Sequence, residues 1–140
     1  MFLAPEVFLD TSFIVALENR DDPVHERAKQ LDRELIDSQA IIVTHWGILL
    51  EIGDGYSRLG RRPKGNFLLA HLMTETAYEV VEITSEVLSA ATRLYAERPD
   101  KEWGLTDCVS FVIMHQRGLT QALTADEHFA QAGFQALLRY

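Results

Sequence analysis

The sequence holds a single cysteine, Cys108, among 140 residues. That excludes an intrachain disulfide framework and a thiolate zinc cluster. No apolar run approaches the ~18 residues that a membrane span needs. The stretch from Met1 to Glu6 has neither a basic segment nor a long apolar one, so no secretory signal is expected. The expected location is cytoplasmic, with no membrane contact. Neither common glycine-rich phosphate loop is present. The five histidines (His25, His45, His71, His115 and His128) show no HxxxH or HxH spacing. Positive charge is scarce: 13 Lys and Arg face 21 Asp and Glu, a formal net charge of −8. Such a balance disfavours a general electrostatic grip on nucleic acid or an anionic membrane. A polyanionic substrate would have to be met by a local basic patch or by bridging cations.

What remains is ordinary globular composition, 47% hydrophobic and 24% charged. At this length one domain over residues 1–140 is expected. Short β-rich runs alternate with longer helical periods. Val7-Phe8-Leu9, Ala40 to Val43, Tyr78 to Ile83, Gln121 to Thr124 and Phe134 to Leu138 read as strands. Helices are expected after Asp10-Thr11-Ser12, from Asp21-Asp22-Pro23 to about Asp37, from about Trp46 to Leu59, from Asn66 to Glu75, after Thr84, after Thr106, which reads as an N-cap, and from Glu127 to Ala132. This alternation implies an α/β fold: a central, mainly parallel sheet of four to five short strands with helices on both faces. Ligands of such sheets bind beyond the carboxyl ends of the strands.

Asp10 falls at one such end and Asp126 just past another. Glu51 and Asp107 sit on helices able to reach the same edge; on a helical wheel Glu51 lies at the margin of the apolar arc. Each acid alone has a plain reading: Asp10 and Asp126 as caps or turn residues, Glu51 as a solvated helix residue, Asp107 as a favourable charge in a first turn. As a group they point elsewhere. At ~5 Å and an effective dielectric of ~20, each carboxylate pair repels by about 3 kcal/mol, so a cluster needs protons or cations. All-oxygen ligands select hard ions, so Mg²⁺ or Mn²⁺ is expected rather than zinc. His128, two residues beyond Asp126, is a candidate to line the cleft. Arg58, Arg61, Arg62 and Lys64 are interrupted by no acid and read either as a phosphate-contact strip or as a solvated helix end; Gly60, Pro63 and Gly65 suggest a mobile loop there. Cys108 lies in an apolar stretch and reads as a small hydrophobe.

At these residues the chain resembles the PIN-domain ribonucleases, in particular VapC-like toxins of type II toxin–antitoxin systems. The matching pieces are Phe8-Leu9-Asp10-Thr11-Ser12, Glu51, Leu105 to Phe111 around Asp107, and Leu123 to Phe129 around Asp126, followed by Ala132-Gly133-Phe134. The resemblance implies that Asp10, Glu51, Asp107 and Asp126 are the catalytic, metal-binding acids. Thr11, Thr106 and Thr124 match flanking hydroxyl positions, where capping is an equal alternative. It further implies Mg²⁺ or Mn²⁺ dependence, endonucleolytic cleavage of RNA leaving 5′-phosphate and 3′-hydroxyl ends, a homodimer, and inhibition by a cognate antitoxin. Hydrolysis of this kind uses an activated water and no protein nucleophile. Two rival readings stay open: a PIN-fold binding or regulatory module, and a DNA nuclease of related fold.

Overall fold

The computed structural model describes residues 2–139. Five strands, β1 (Glu6–Leu9), β2 (Ile41–His45), β3 (Tyr78–Val81), β4 (Gln121–Leu123) and β5 (Gln135–Ala136), form one sheet in the order β3-β2-β1-β4-β5. Every pairing is parallel, with Phe8 opposite Val43 on one side and Ala122 on the other. Consecutive residues of a strand point to opposite faces. Val7, Phe8 and Leu9 are all buried, as are Ile42 to His45 and all of β4, so both faces of the central strands are covered. This is the expected α/β arrangement.

The cover comes from α1 (Thr11–Glu18), α2 (His25–Ser38), α3 (Trp46–Gly55), α4 (Arg62–Thr74), α5 (Ser85–Glu97), α6 (Leu105–Arg117) and α7 (Glu127–Gln131). None of them is long and apolar enough to cross a membrane. One aromatic column runs through the core: Phe8 faces Phe129 at 6.0 Å, Phe129 meets Phe111 edge-on at 5.0 Å, and Trp103 meets Phe111 at 5.0 Å. It ties β1, α6 and α7 together directly beneath the strand ends. Such pairs add about 0.5–1.5 kcal/mol each to the burial of the rings.

Several boundaries depart from the sequence reading, each for a local reason. Helix α2 begins at His25 rather than at Asp21, because Asp22 turns its carboxylate back to accept from Val24 N at 3.0 Å. Helix α3 ends at Gly55, and Leu59, expected on its apolar face, is 97% exposed. Ser57 Oγ donates to Asp54 O and Arg62 Nε donates to Ser57 O, which closes the turn between α3 and α4. The stretch expected to be a mobile loop is therefore partly helix: Pro63 lies in the first turn of α4, where its missing N–H is harmless, and Gly65 is inside it. Helix α6 is capped by Gly104, not Thr106, which lies within its first turn. Helices α6 and α7 are followed by Gly118 and Gly133 at positive φ, 67° and 96°.

Candidate metal centre and active site

The carboxyl ends of β1 and β4 lie side by side, and Asp10 N donates to Leu123 O across them. Asp10 occupies the N-cap position of α1, yet its side chain makes no capping bond. Its Oδ2 instead accepts from Ser12 Oγ and from Thr124 Oγ1, both at 2.8 Å. These hydroxyls are themselves held: Ser12 Oγ accepts from Ala125 N and Thr124 Oγ1 accepts from Asp126 N, each at 3.0 Å. Both side-chain bonds converge on one oxygen, Oδ2. Burial, the largest influence, pushes the Asp10 carboxyl above the ordinary range. The two hydroxyl bonds oppose that rise, and the charges of Asp107 and Asp126 add to it.

Asp107 and Asp126 reach the same place from two helix starts. Asp107, in the first turn of α6, accepts from Gly104 N at 3.1 Å through Oδ2. Asp126 caps α7 by accepting from His128 N at 2.9 Å. For these two acids the capping role and a place in the cluster coexist. His128 Nδ1 sits 3.0 Å from Asp107 Oδ2 and 3.4 Å from Asp126 Oδ1. One ligand atom from each of Asp107, Asp126 and His128 falls within 4.8 Å of the others. Glu51 approaches from α3, with Thr11 Oγ1 donating to its Oε1 at 2.8 Å. Burial is the main cause raising the Glu51 carboxyl; the Thr11 bond works against it, and Asp10, Asp107 and Asp126 reinforce it.

All four sequence-identified acids thus sense one another. Two of the three flanking threonines, Thr11 and Thr124, bond directly to a carboxylate of the group. Thr106 contributes through its backbone, accepting from Ser110 Oγ at 3.1 Å. Ser12 went unassigned in the sequence, although its position two residues after Asp10 is the signal that finds it. His128 lies at the cluster itself, against Asp107 and Asp126. Several hard oxygen donors and one imidazole nitrogen, with the Asp10 and Glu51 carboxyls raised chiefly by burial, are the chemistry of a divalent-cation site. Cys108, in contrast, is buried, and burial pushes its thiol up, so it takes no part as a nucleophile.

The basic strip divides. Arg61 lies over the Tyr56 ring at 5.2 Å and, with Thr11 and Glu51, lines a cleft of about 270 Å³. Lys64 is paired with Glu18. Arg62 is bound to Ser57 O through Nε, and Arg58 is exposed on the connecting turn. Only Arg61 directly joins the cleft that holds Glu51.

The PIN domain family matches residues 7–135. The chain belongs to that family. This PIN domain is also 28% identical over 130 residues to the 23S rRNA-specific endonuclease VapC20 in two strains of Mycobacterium tuberculosis, an alignment covering 91% of the chain and 95% of the relative. The crystal structure of Mycobacterium tuberculosis VapC20, described as a sarcin-ricin loop cleaving toxin, superposes with a TM-score of 0.79 at 26% identity over 91% of this chain and 95% of that one. FitAcB from Neisseria gonorrhoeae shares the fold, with a TM-score of 0.68 at 20% identity over 93% and 94% of the two chains. The resemblance seen in the sequence motifs therefore extends over nearly the whole fold.

Proposed function

We propose that this PIN domain is a metal-dependent endoribonuclease and the toxin of a toxin–antitoxin pair. The observation that carries the reading is the convergence of Asp10, Glu51, Asp107 and Asp126 at the carboxyl ends of β1 and β4. Asp10 and Asp107 are the proposed principal ligands of Mg²⁺ or Mn²⁺, completed by Glu51 or Asp126. Such an ion supplies water activation and charge neutralisation at the phosphoryl group. The chain's own residues do the rest. Ser12 and Thr124 fix the rotamer of Asp10, Thr11 orients Glu51, and the caps of α6 and α7 set Asp107 and Asp126. Arg58, Arg61, Arg62 and Lys64 are proposed to meet RNA phosphates, with Arg61 nearest the cleft.

The name of VapC20 makes 23S rRNA the first substrate to test. A cytoplasmic homodimer and a cognate antitoxin belong to the same proposal. Val15 and Leu50, exposed on α1 and α3, offer apolar surface for a protein partner. Purified protein should cut ribosomal RNA in Mn²⁺ or Mg²⁺, and neither in EDTA nor as Glu51→Gln. Single-stranded RNA, structured RNA and DNA are compared in the same assay. Failure to cut any RNA with either ion, cleavage that survives EDTA, or a preference for DNA would overturn the reading.

A further inference from the structure

Glu51 and Asp107 stand on different helices, and the charge of Asp107 is among the influences that raise the Glu51 carboxyl. With no cation between them, that repulsion pushes α3 and α6 apart. A buried polar chain ties the same two helices together. His45, the last residue of β2, is fully buried and caps α3: its Nδ1 accepts from Gly47 N at 3.0 Å. A ring nitrogen that accepts from an N–H carries no proton, so the neutral imidazole holds its proton on Nε2. That nitrogen donates to Ser110 Oγ, itself fully buried on α6, at 2.8 Å. Ser110 Oγ in turn donates to Thr106 O at 3.1 Å.

A serine bonded back to the carbonyl four residues earlier is ordinary in a helix. The histidine that donates to that hydroxyl from another element is not. The chain starts one helical turn before Glu51 and ends on the residue before Asp107. Its seat is fitted to the ring. A Cβ at Gly47 would lie 2.7 Å from His45 Cε1 and 2.9 Å from Nδ1, so only glycine lets the imidazole approach so closely. Phe8 packs against the other side of the junction, its ring 5.8 Å from that of His45.

We infer that His45 and Ser110 are positioning residues that set Glu51 and Asp107 against one another across the junction of α3 and α6. The inference rests on the ribonuclease reading and deepens it. Fully buried, the two side chains touch neither RNA nor metal. They act through the two carboxylates, in the way that outer partners of metal ligands do.

The test is direct Mn²⁺ binding to the full chain, read from the electron paramagnetic resonance of the free ion, beside cleavage kinetics well below the melting range. His45→Asn keeps a side-chain acceptor for the α3 cap but is too short to reach Ser110. Ser110→Ala cuts the chain from the other end. Each should weaken Mn²⁺ binding about tenfold and lower kcat at subsaturating Mn²⁺, with KM for RNA little changed. The double variant should lose no more than the worse single one, because both break the same link. Leu35→Ala, buried on α2 beside the starts of β2 and β3, is the control: it should lower the melting temperature and leave Mn²⁺ affinity unchanged. Should His45→Asn fail to fold, Ser110→Ala decides. Unchanged Mn²⁺ affinity in the folded variants overturns the positioning role, whatever the melting temperature does. So do losses that multiply in the double variant, or an equal loss in Leu35→Ala. In each of those cases cleavage by the wild type leaves the ribonuclease reading standing. A wild type that neither binds Mn²⁺ nor cuts RNA overturns both.

Discussion

Asp10 shows how one side chain can be favourable for chemistry and unfavourable for stability. Its carboxyl is raised above the ordinary value of 3.8, chiefly by burial. A raised acid contributes stability that is fully present below the unfolded pKa and is lost as pH rises through the folded value. In the metal-free protein at neutral pH, the charged form is therefore a burden. Asp10→Asn should reduce cleavage by at least 10²-fold, since even neighbours of metal ligands matter by 10–100-fold. The same substitution should leave the metal-free chain as stable as the wild type or more so, because the amide oxygen can still accept from Ser12 and Thr124. Activity assays and metal-free melts at pH 7 check the two halves. A large fall in melting temperature would assign Asp10 a structural task instead.

Between elements, His45 makes a buried polar link. Its Nδ1 accepts from Gly47 N at 3.0 Å, capping α3, and its Nε2 donates to Ser110 Oγ at 2.8 Å on α6. Burial lowers its pKa from 6.5 to about 4, so the folded chain keeps it neutral. A depressed histidine contributes stability that is present above pH 6.5 and lost as pH falls toward 4, a change on the order of 3 kcal/mol. Denaturant titrations between these pH values should show the loss, and His45→Gln should flatten it. Two glycines make a second prediction. A Cβ at Gly65 would lie 2.8 Å from Tyr56 Cβ, while one at Gly55 meets nothing within 4 Å. Gly65→Ala should cost about 1–3 kcal/mol by overpacking α4 against α3. Gly55→Ala should be neutral or stabilising by up to about 1 kcal/mol. Equal effects in denaturant melts would remove that contact from the account. Tyr56 and Gly65 also explain what was hard to read in the sequence. Strands and acids were legible because Val7-Phe8-Leu9 and Asp10 lie in short, local patterns. The break between α3 and α4 was not: Leu59 continues the 3.6-residue period of α3, and what ends the helix is a turn closed by Ser57 and Arg62. Thr106 misled for a similar reason. Its hydroxyl suits a cap, but the glycine two residues earlier takes the cap position, and Asp107 reaches back to its amide. Ser12 was visible beside Asp10, but its second bond, from Ala125 N, comes from 113 residues away.

The molecule as a whole has a net charge of −8, and several of its 21 acidic residues meet at one edge of the sheet. A divalent cation that binds the folded chain alone should raise its stability, by about 2.7 kcal/mol at a hundredfold excess over the dissociation constant. Melts in Mn²⁺ and in EDTA should separate accordingly, and the gap should close in Asp10→Asn and Asp107→Asn. No separation at any cation concentration would exclude a cation site in the folded protein. The hydroxyl clamp on Asp10 has one more consequence. Thr124 stands 114 residues from the aspartate it grips, and Asp126 is later still. While the polypeptide is being synthesised, the turn at Asp10 waits for the residue after β4 before its carboxylate can be seated. The acidic group therefore cannot be completed before the segment that carries Thr124 and Asp126 has been made.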